Sequence, residues 1–140
     1  MLLELRIRDY AIVDRLDVDF SGGLEVMTGE TGAGKSIIVG ALGLALGERA
    51  YAEQRRSGST STIVEARFSS PDGRQLKEKL KAAEIEGSGE LILRRIVPAS
   101  GKSRAYVNDT AVSLATLNGI GRELVDIHGQ HQHQSLLHPE

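Results

Sequence analysis

The stretch Gly29-Glu30-Thr31-Gly32-Ala33-Gly34-Lys35-Ser36 satisfies G-x-x-x-x-G-K-[ST] at every fixed position and constrains the chain more than any other feature. The glycines of such a loop let backbone N–H groups wrap a phosphate, and the helix that follows adds the partial positive charge of its N-terminus. In this pattern Lys35 reaches the β- and γ-phosphates and the Ser36 hydroxyl ligates Mg²⁺. At average residue usage it arises by chance in fewer than about 1 in 100 chains of this length. The flanks agree: Leu24 to Thr28 reads as a short strand, and Lys35 to Leu46 is apolar and free of proline, as a buried helix requires. The bland alternative is a glycine-rich turn before a core helix.

The remaining segments predict a sheet with helices. Leu3, Leu5 and Ile7 alternate with Glu4, Arg6 and Arg8, and Leu16, Val18 and Phe20 share a face opposite Asp17 and Asp19. Ser21-Gly22-Gly23 is a turn, so the first three strands read as antiparallel neighbours. Gly40, Gly43 and Gly47 fall along one helical face. Each helix-interior glycine costs up to ~1 kcal/mol relative to alanine, which close backbone approach would offset; Gly47 is also placed to end the helix.

Glu48 to Ser61 reads as a polar surface segment, and Thr62 to Phe68 as a strand. Pro71-Asp72-Gly73 is a turn before an amphipathic helix with Leu76, Leu80 and Ala83 inside and Lys77, Glu78, Lys79, Lys81 and Glu84 in water. Leu91–Val97 and Ser103–Val107 form a hairpin around Pro98–Lys102. Ser113 caps a helix carrying Leu114, Leu117, Ile120 and Leu124, and Val125-Asp126-Ile127 reads as a last short strand. The expected class is α/β with a mixed sheet: an antiparallel layer plus the start of a nucleotide-binding α/β core.

Composition narrows the function. With 19 acidic and 17 basic residues the formal charge is −2, so nucleic acid cannot be held by bulk charge. A DNA contact needs a local patch, for which Arg94, Arg95, Lys102 and Arg104 are candidates; strand alternation lets only one of Arg94 and Arg95 face solvent. The absence of cysteine excludes disulfides and cysteine-ligated metals. Charges at every second N-terminal position argue against a signal peptide, and the apolar run Ile37–Leu46 is far shorter than the ~20 residues of a membrane helix, so a cytoplasmic chain without membrane contact is expected.

All four histidines lie between His128 and His138. His131 and His133 have a spacing that chelates a metal on a strand, but the glutamine-rich, cysteine-free surroundings favour a nucleotide-sensing loop. Gly101-Lys102-Ser103 repeats the tail of the phosphate-loop pattern, yet Ile96 stands where its first glycine belongs, so it reads as a hairpin turn. No apolar strand ends in the Asp-Glu pair that phosphoryl transfer of this class uses for Mg²⁺ and water; Leu124-Val125-Asp126 comes nearest. The chain is expected to bind a nucleotide but not to hydrolyse it unaided.

Five stretches together resemble the RecN family, bacterial SMC-like ATPases of DNA double-strand-break repair. They are Ala11-Ile12-Val13, Thr28 to Ser36, Ala41 to Ala50, Arg56-Ser57-Gly58, and Asp126-Ile127-His128-Gly129-Gln130-His131-Gln132-His133-Gln134. The resemblance covers the whole chain, and the Gly-Glu-Thr-Gly loop combined with His-Gly-Gln-His is its specific part. It implies a P-loop NTPase of the ABC/SMC head type, with residues 1–140 forming the N-terminal lobe. Coiled coil, signature motif and Asp-Glu pair would lie elsewhere. It implies ATP and Mg²⁺ as cofactors. The implied partners are the C-terminal lobe of the same head, a second head joined through ATP, and DNA, double-stranded ends in particular, in a nucleoid-associated setting.

Residue by residue, the resemblance implies that Gly29, Glu30, Thr31, Gly32, Ala33, Gly34, Lys35 and Ser36 form the phosphate site. Lys35 and Gln130 would be catalytic, and Ser36 and Gln130 would reach Mg²⁺, with Gln132 as the alternative glutamine. Arg56 would approach the phosphates, with Arg55 as its alternative. The family's Asn-Phe after the first strand is Asp9-Tyr10 here. Ser21-Gly22-Gly23 echoes the ABC signature but precedes the phosphate loop between strands, so it stays a turn. A transporter-type nucleotide-binding domain would need an aromatic platform for adenine, for which Tyr10 is the one candidate near the first strands. Two functions remain open: an ATPase whose heads sandwich and hydrolyse ATP, and an ATP-gated dimerisation module with little turnover.

Overall fold

The computed structural model describes residues 2–20, 32–69, 73–85, 89–100 and 102–127. A hairpin opens the chain: β1 (Leu2–Tyr10) and β2 (Val13–Asp19) pair antiparallel, closed by Tyr10 opposite Val13. Helix α1 (Gly32–Ala45) follows, then a single 3-10 turn at Ala52–Gln54 and β3 (Ser61–Phe68). After α2 (Arg74–Ala82) come β4 (Leu91–Pro98), β5 (Arg104–Val107), β6 (Thr110–Val112) and α3 (Leu114–Ile127).

The six described strands form one sheet in the order β2-β1-β3-β4-β5-β6, and every pairing among them is antiparallel. Period-two alternation gives the sheet an apolar face: Leu5 and Ile7 of β1, Val64, Ala66 and Phe68 of β3, Leu91 and Leu93 of β4, and Ala105 and Val107 of β5 are buried on it. Ile38, Ala41, Leu42, Leu44 and Ala45 of α1 join the same core, as do Leu76 and Leu80 of α2 and Leu117, Ile120 and Leu124 of α3. The opposite face carries charge in balanced pairs, with Arg8 Nη1 at 2.7 Å from Asp17 and Arg67 Nη1 at 2.6 Å from Glu90.

Three expectations need correction. Leu2, not Leu3, is buried beside Leu5, because the β1–β3 register shifts between Leu2 and Glu4 and advances the alternation by one residue. Val125-Asp126-Ile127 is the last turn of α3 rather than a strand: no glycine or proline stands between Leu124 and Ile127, so the backbone ladder begun at Leu114 runs on through them. Strand β6 adds to the elements expected from the sequence. Its signal is Asn108-Asp109, whose φ values of +49° and +69° make the tight turn that suits right-twisted hairpins. The strand expected at Leu24–Thr28, and with it the parallel part of a mixed sheet, lies outside the described residues.

The predicted caps hold. The Thr116 N–H donates to Ser113 Oγ at 3.0 Å and opens α3. Gly47 closes α1 at φ +94°, with the Gly47 N–H donating to Leu44 O at 3.1 Å and the Glu48 N–H to Gly43 O at 3.0 Å.

Candidate functional site

Helix α1 packs on the apolar face of the sheet, burying Ile38, Ala41, Leu42, Leu44 and Ala45. Lys35 and Ser36 are exposed in its second turn, near the N-terminus. No acidic residue occupies the first turn, so nothing on the helix itself neutralises its positive end. A helix N-terminus, a lysine and a hydroxyl are the groups a polyphosphate with a divalent cation takes, and the residues present fit Mg-ATP on those grounds. Gly29, Glu30 and Thr31 lie outside the described residues, as do Gln130, Gln132 and all four histidines. Asp126 sits within α3 and does not end a strand.

The β1–β2 hairpin and residues 52–56 form the flank of α1. The Asp9 carbonyl accepts the Thr62 hydroxyl at 2.6 Å and the Arg56 N–H at 3.1 Å, holding Asp9 at φ +54°. The Ala11 N–H donates to Gln54 O at 2.7 Å. These bonds seat the Arg56 guanidinium 3.5 Å from the carboxylates of both Asp9 and Asp14, with its side chain 43% exposed. Arg55 points elsewhere and donates to Ala99 O at 2.6 Å, tying this segment to the β4–β5 hairpin. Of the two arginines, Arg56 is the one whose charge remains at the surface. It is held by carboxylates here, and reaching a phosphate would require leaving them.

Tyr10 is not a platform for a base. Its ring is buried, and its hydroxyl abuts the space over Gly40, where any Cβ would run into it. The close approach expected of the helical glycines is thus realised at Gly40 by a tyrosine. Burial pushes the Tyr10 phenol above its ordinary value, against a weaker opposing effect of the Gln54 hydrogen bond. The folded value lies above the unfolded one, so the neutral ring's contribution to stability is complete below about pH 10 and is lost as pH rises through the folded value. Tyr10→Phe is expected to flatten the alkaline fall in stability by about one proton's worth of slope. Urea midpoints taken from about pH 8 to about pH 11 measure it, and an identical slope in the variant would refute the burial argument.

Strand alternation makes Arg95 one of two arginines of which one faces inward, and the structure gives it a role. Arg94 faces outward over the Tyr106 ring at 4.8 Å, whereas Arg95 is 1% exposed. Its Nη1 donates to Leu44 O at 3.0 Å and Glu48 O at 2.8 Å, and its Nη2 to Ser103 Oγ at 3.2 Å. A cation therefore caps the C-terminal end of the helix whose N-terminus carries Lys35, and fastens that helix to β4. Burial lowers the Arg95 pKa, and no carboxylate pairs with it among the described residues. An arginine at an inward position of an alternating strand was the sequence signal. Lys102 and Arg104 are exposed on the same hairpin.

The family described as "AAA domain" matches residues 4–137. The DNA repair protein RecN of Halalkalibacterium halodurans is 48% identical over 141 residues, covering 100% of this chain and 25% of that protein. RecN of Vibrio cholerae is 44% identical, again over 100% of this chain and 25% of the relative. The chain thus spans about a quarter of the length of these relatives. Among solved structures, the Pyrococcus furiosus Smc head domain bound to the C-terminal domain of ScpA superposes with a TM-score of 0.66 at 16% identity, covering 91% of this chain and 34% of that one. A chain from work on ATP-driven dimerization and DNA-stimulated activation of SMC ATPases gives 0.64 at 19% identity, covering 85% and 76%. At such identities the structures speak for the fold, an α/β SMC-head lobe, while the sequence relatives speak for the family. The chain belongs to the AAA domain family; along its whole length it is similar in sequence to RecN, and its fold is that of an SMC head domain.

Proposed function

We propose that this chain is the Mg-ATP-binding part of a RecN-type ATPase in DNA double-strand-break repair and recombination. The observation that carries the reading is the exposed Lys35-Ser36 pair on the acid-free N-terminus of α1, where the sequence pattern Gly29–Ser36 ends. Backbone N–H groups of Gly29 to Gly34 bind the phosphates, Lys35 holds the β- and γ-oxygens, and Ser36 Oγ supplies a ligand to Mg²⁺. Bound Mg²⁺ supplies neutralisation of phosphate charge. Gln130, or Gln132 in its place, orients water near the metal, and Arg56 exchanges its carboxylate partners for a phosphate when nucleotide arrives.

The acidic residue for turnover comes from a C-terminal lobe of the same head, and a second head closes over the nucleotide. Engagement then acts on DNA, in a cytoplasmic, nucleoid-associated setting. Among the described residues, no helix is long and apolar enough to cross a membrane.

The test is ATP binding and hydrolysis by this chain alone, then with the C-terminal head segment added, with and without linear DNA. Turnover is expected only when both segments are present. Robust turnover by the 140 residues alone would overturn the split-site reading.

A further inference from the structure

The end of α1 remote from Lys35 opens onto a cavity of about 540 Å³ whose walls include Gly47, Arg49, Arg95, Ser103, Ala115 and Asn118. Among the described residues lining it none is acidic, and two are arginines. Arg95 is the unusual member. Its guanidinium is buried, its Nη atoms bond two carbonyls and the Ser103 hydroxyl, and its Nε has no acceptor among the described residues. A buried cation faced only by neutral dipoles is expensive, and an anion at the cavity floor would relieve it. The wall opposite is the start of α3, a 14-residue helix. Its Ser113 cap accepts the Thr116 N–H, and the positive end of its dipole faces the same space. Arg49, exposed at the rim, adds a second charge.

We propose that this cavity is an oxyanion site, separate from the phosphate loop, that takes a phosphate group. Arg95 and Arg49 supply charge, the Ser103 hydroxyl a hydrogen bond, and the first N–H groups of α3 the remaining donors. The phosphate belongs either to free inorganic phosphate or to a nucleic-acid end, two sources that present the same chemistry. The site does not depend on how nucleotide binds at Lys35.

Amide chemical shifts of the Lys35→Ala chain, in which the phosphate loop is disabled, test it. The titrants are inorganic phosphate at constant ionic strength, sodium chloride, and a short DNA duplex with or without a 5′-phosphate. Saturable shifts are expected at Ser103, Ala115 and Asn118 with phosphate but not with chloride. Arg49→Ala should weaken them at least about tenfold without lowering the melting temperature, whereas Ser103→Ala should weaken them and also lower it, because Arg95 Nη2 loses its acceptor. A response to inorganic phosphate identifies the free ion as a ligand, and one confined to the phosphorylated duplex identifies the nucleic-acid end; either supports the site. No saturable shift with any phosphate, equal shifts with chloride, or undiminished binding in both variants overturns it.

Discussion

Lys35→Ala in the complete RecN-type protein is expected to lower ATP turnover by at least about a hundredfold, the scale on which removal of one transition-state donor acts. Lys35 is exposed, on a helix whose first turn holds no acid, so the variant loses a charge and no packing. Its thermal melting should therefore match that of the parent while nucleotide affinity and turnover fall. That separation is what makes the result a statement about the site rather than about folding. Unchanged turnover would remove residues 29–36 from the nucleotide site.

Gly47→Ala should produce the largest loss of stability, about 2–5 kcal/mol in denaturant unfolding. Two costs combine. At φ +94° an L-residue is strained by about 1–2 kcal/mol. The added Cβ would also stand 2.6 Å from the Asn118 N and Cα, forcing α1 and α3 apart at a cost of about 1–3 kcal/mol. Gly58 separates the two effects. Its φ is +83° but nothing lies within 4 Å of an added Cβ, so Gly58→Ala should cost only the strain, about 1–2 kcal/mol. Equal losses in the two variants would show that the contact with α3 carries no energy.

Local chemistry was legible in the residues. Alternation in β1, β3 and β4, the Ser113 cap and the Gly47 stop depend on neighbours within a few positions. The phosphate-loop pattern is legible for the same reason, since its donors are consecutive backbone groups followed at once by a helix. The two segments that depart from the expected pattern have local explanations: the Asn108-Asp109 turn before β6, and the unbroken run from Leu124 into Val125.

What the linear chain determined, then, was most of the helix and strand segments and a phosphate-loop pattern at the start of α1. Only the tertiary structure decided the rest. It inserted β3 between β1 and β4, so that Val64 lies beside both Ile7 and Arg95. It turned Tyr10 inward against Gly40, and set Gly121 against the Leu46 carbonyl. It also buried Arg95 under the end of the phosphate-loop helix, 51 residues from its Leu44 acceptor. Contacts of that kind depend on which faces meet after folding, and a periodicity records only that a face exists.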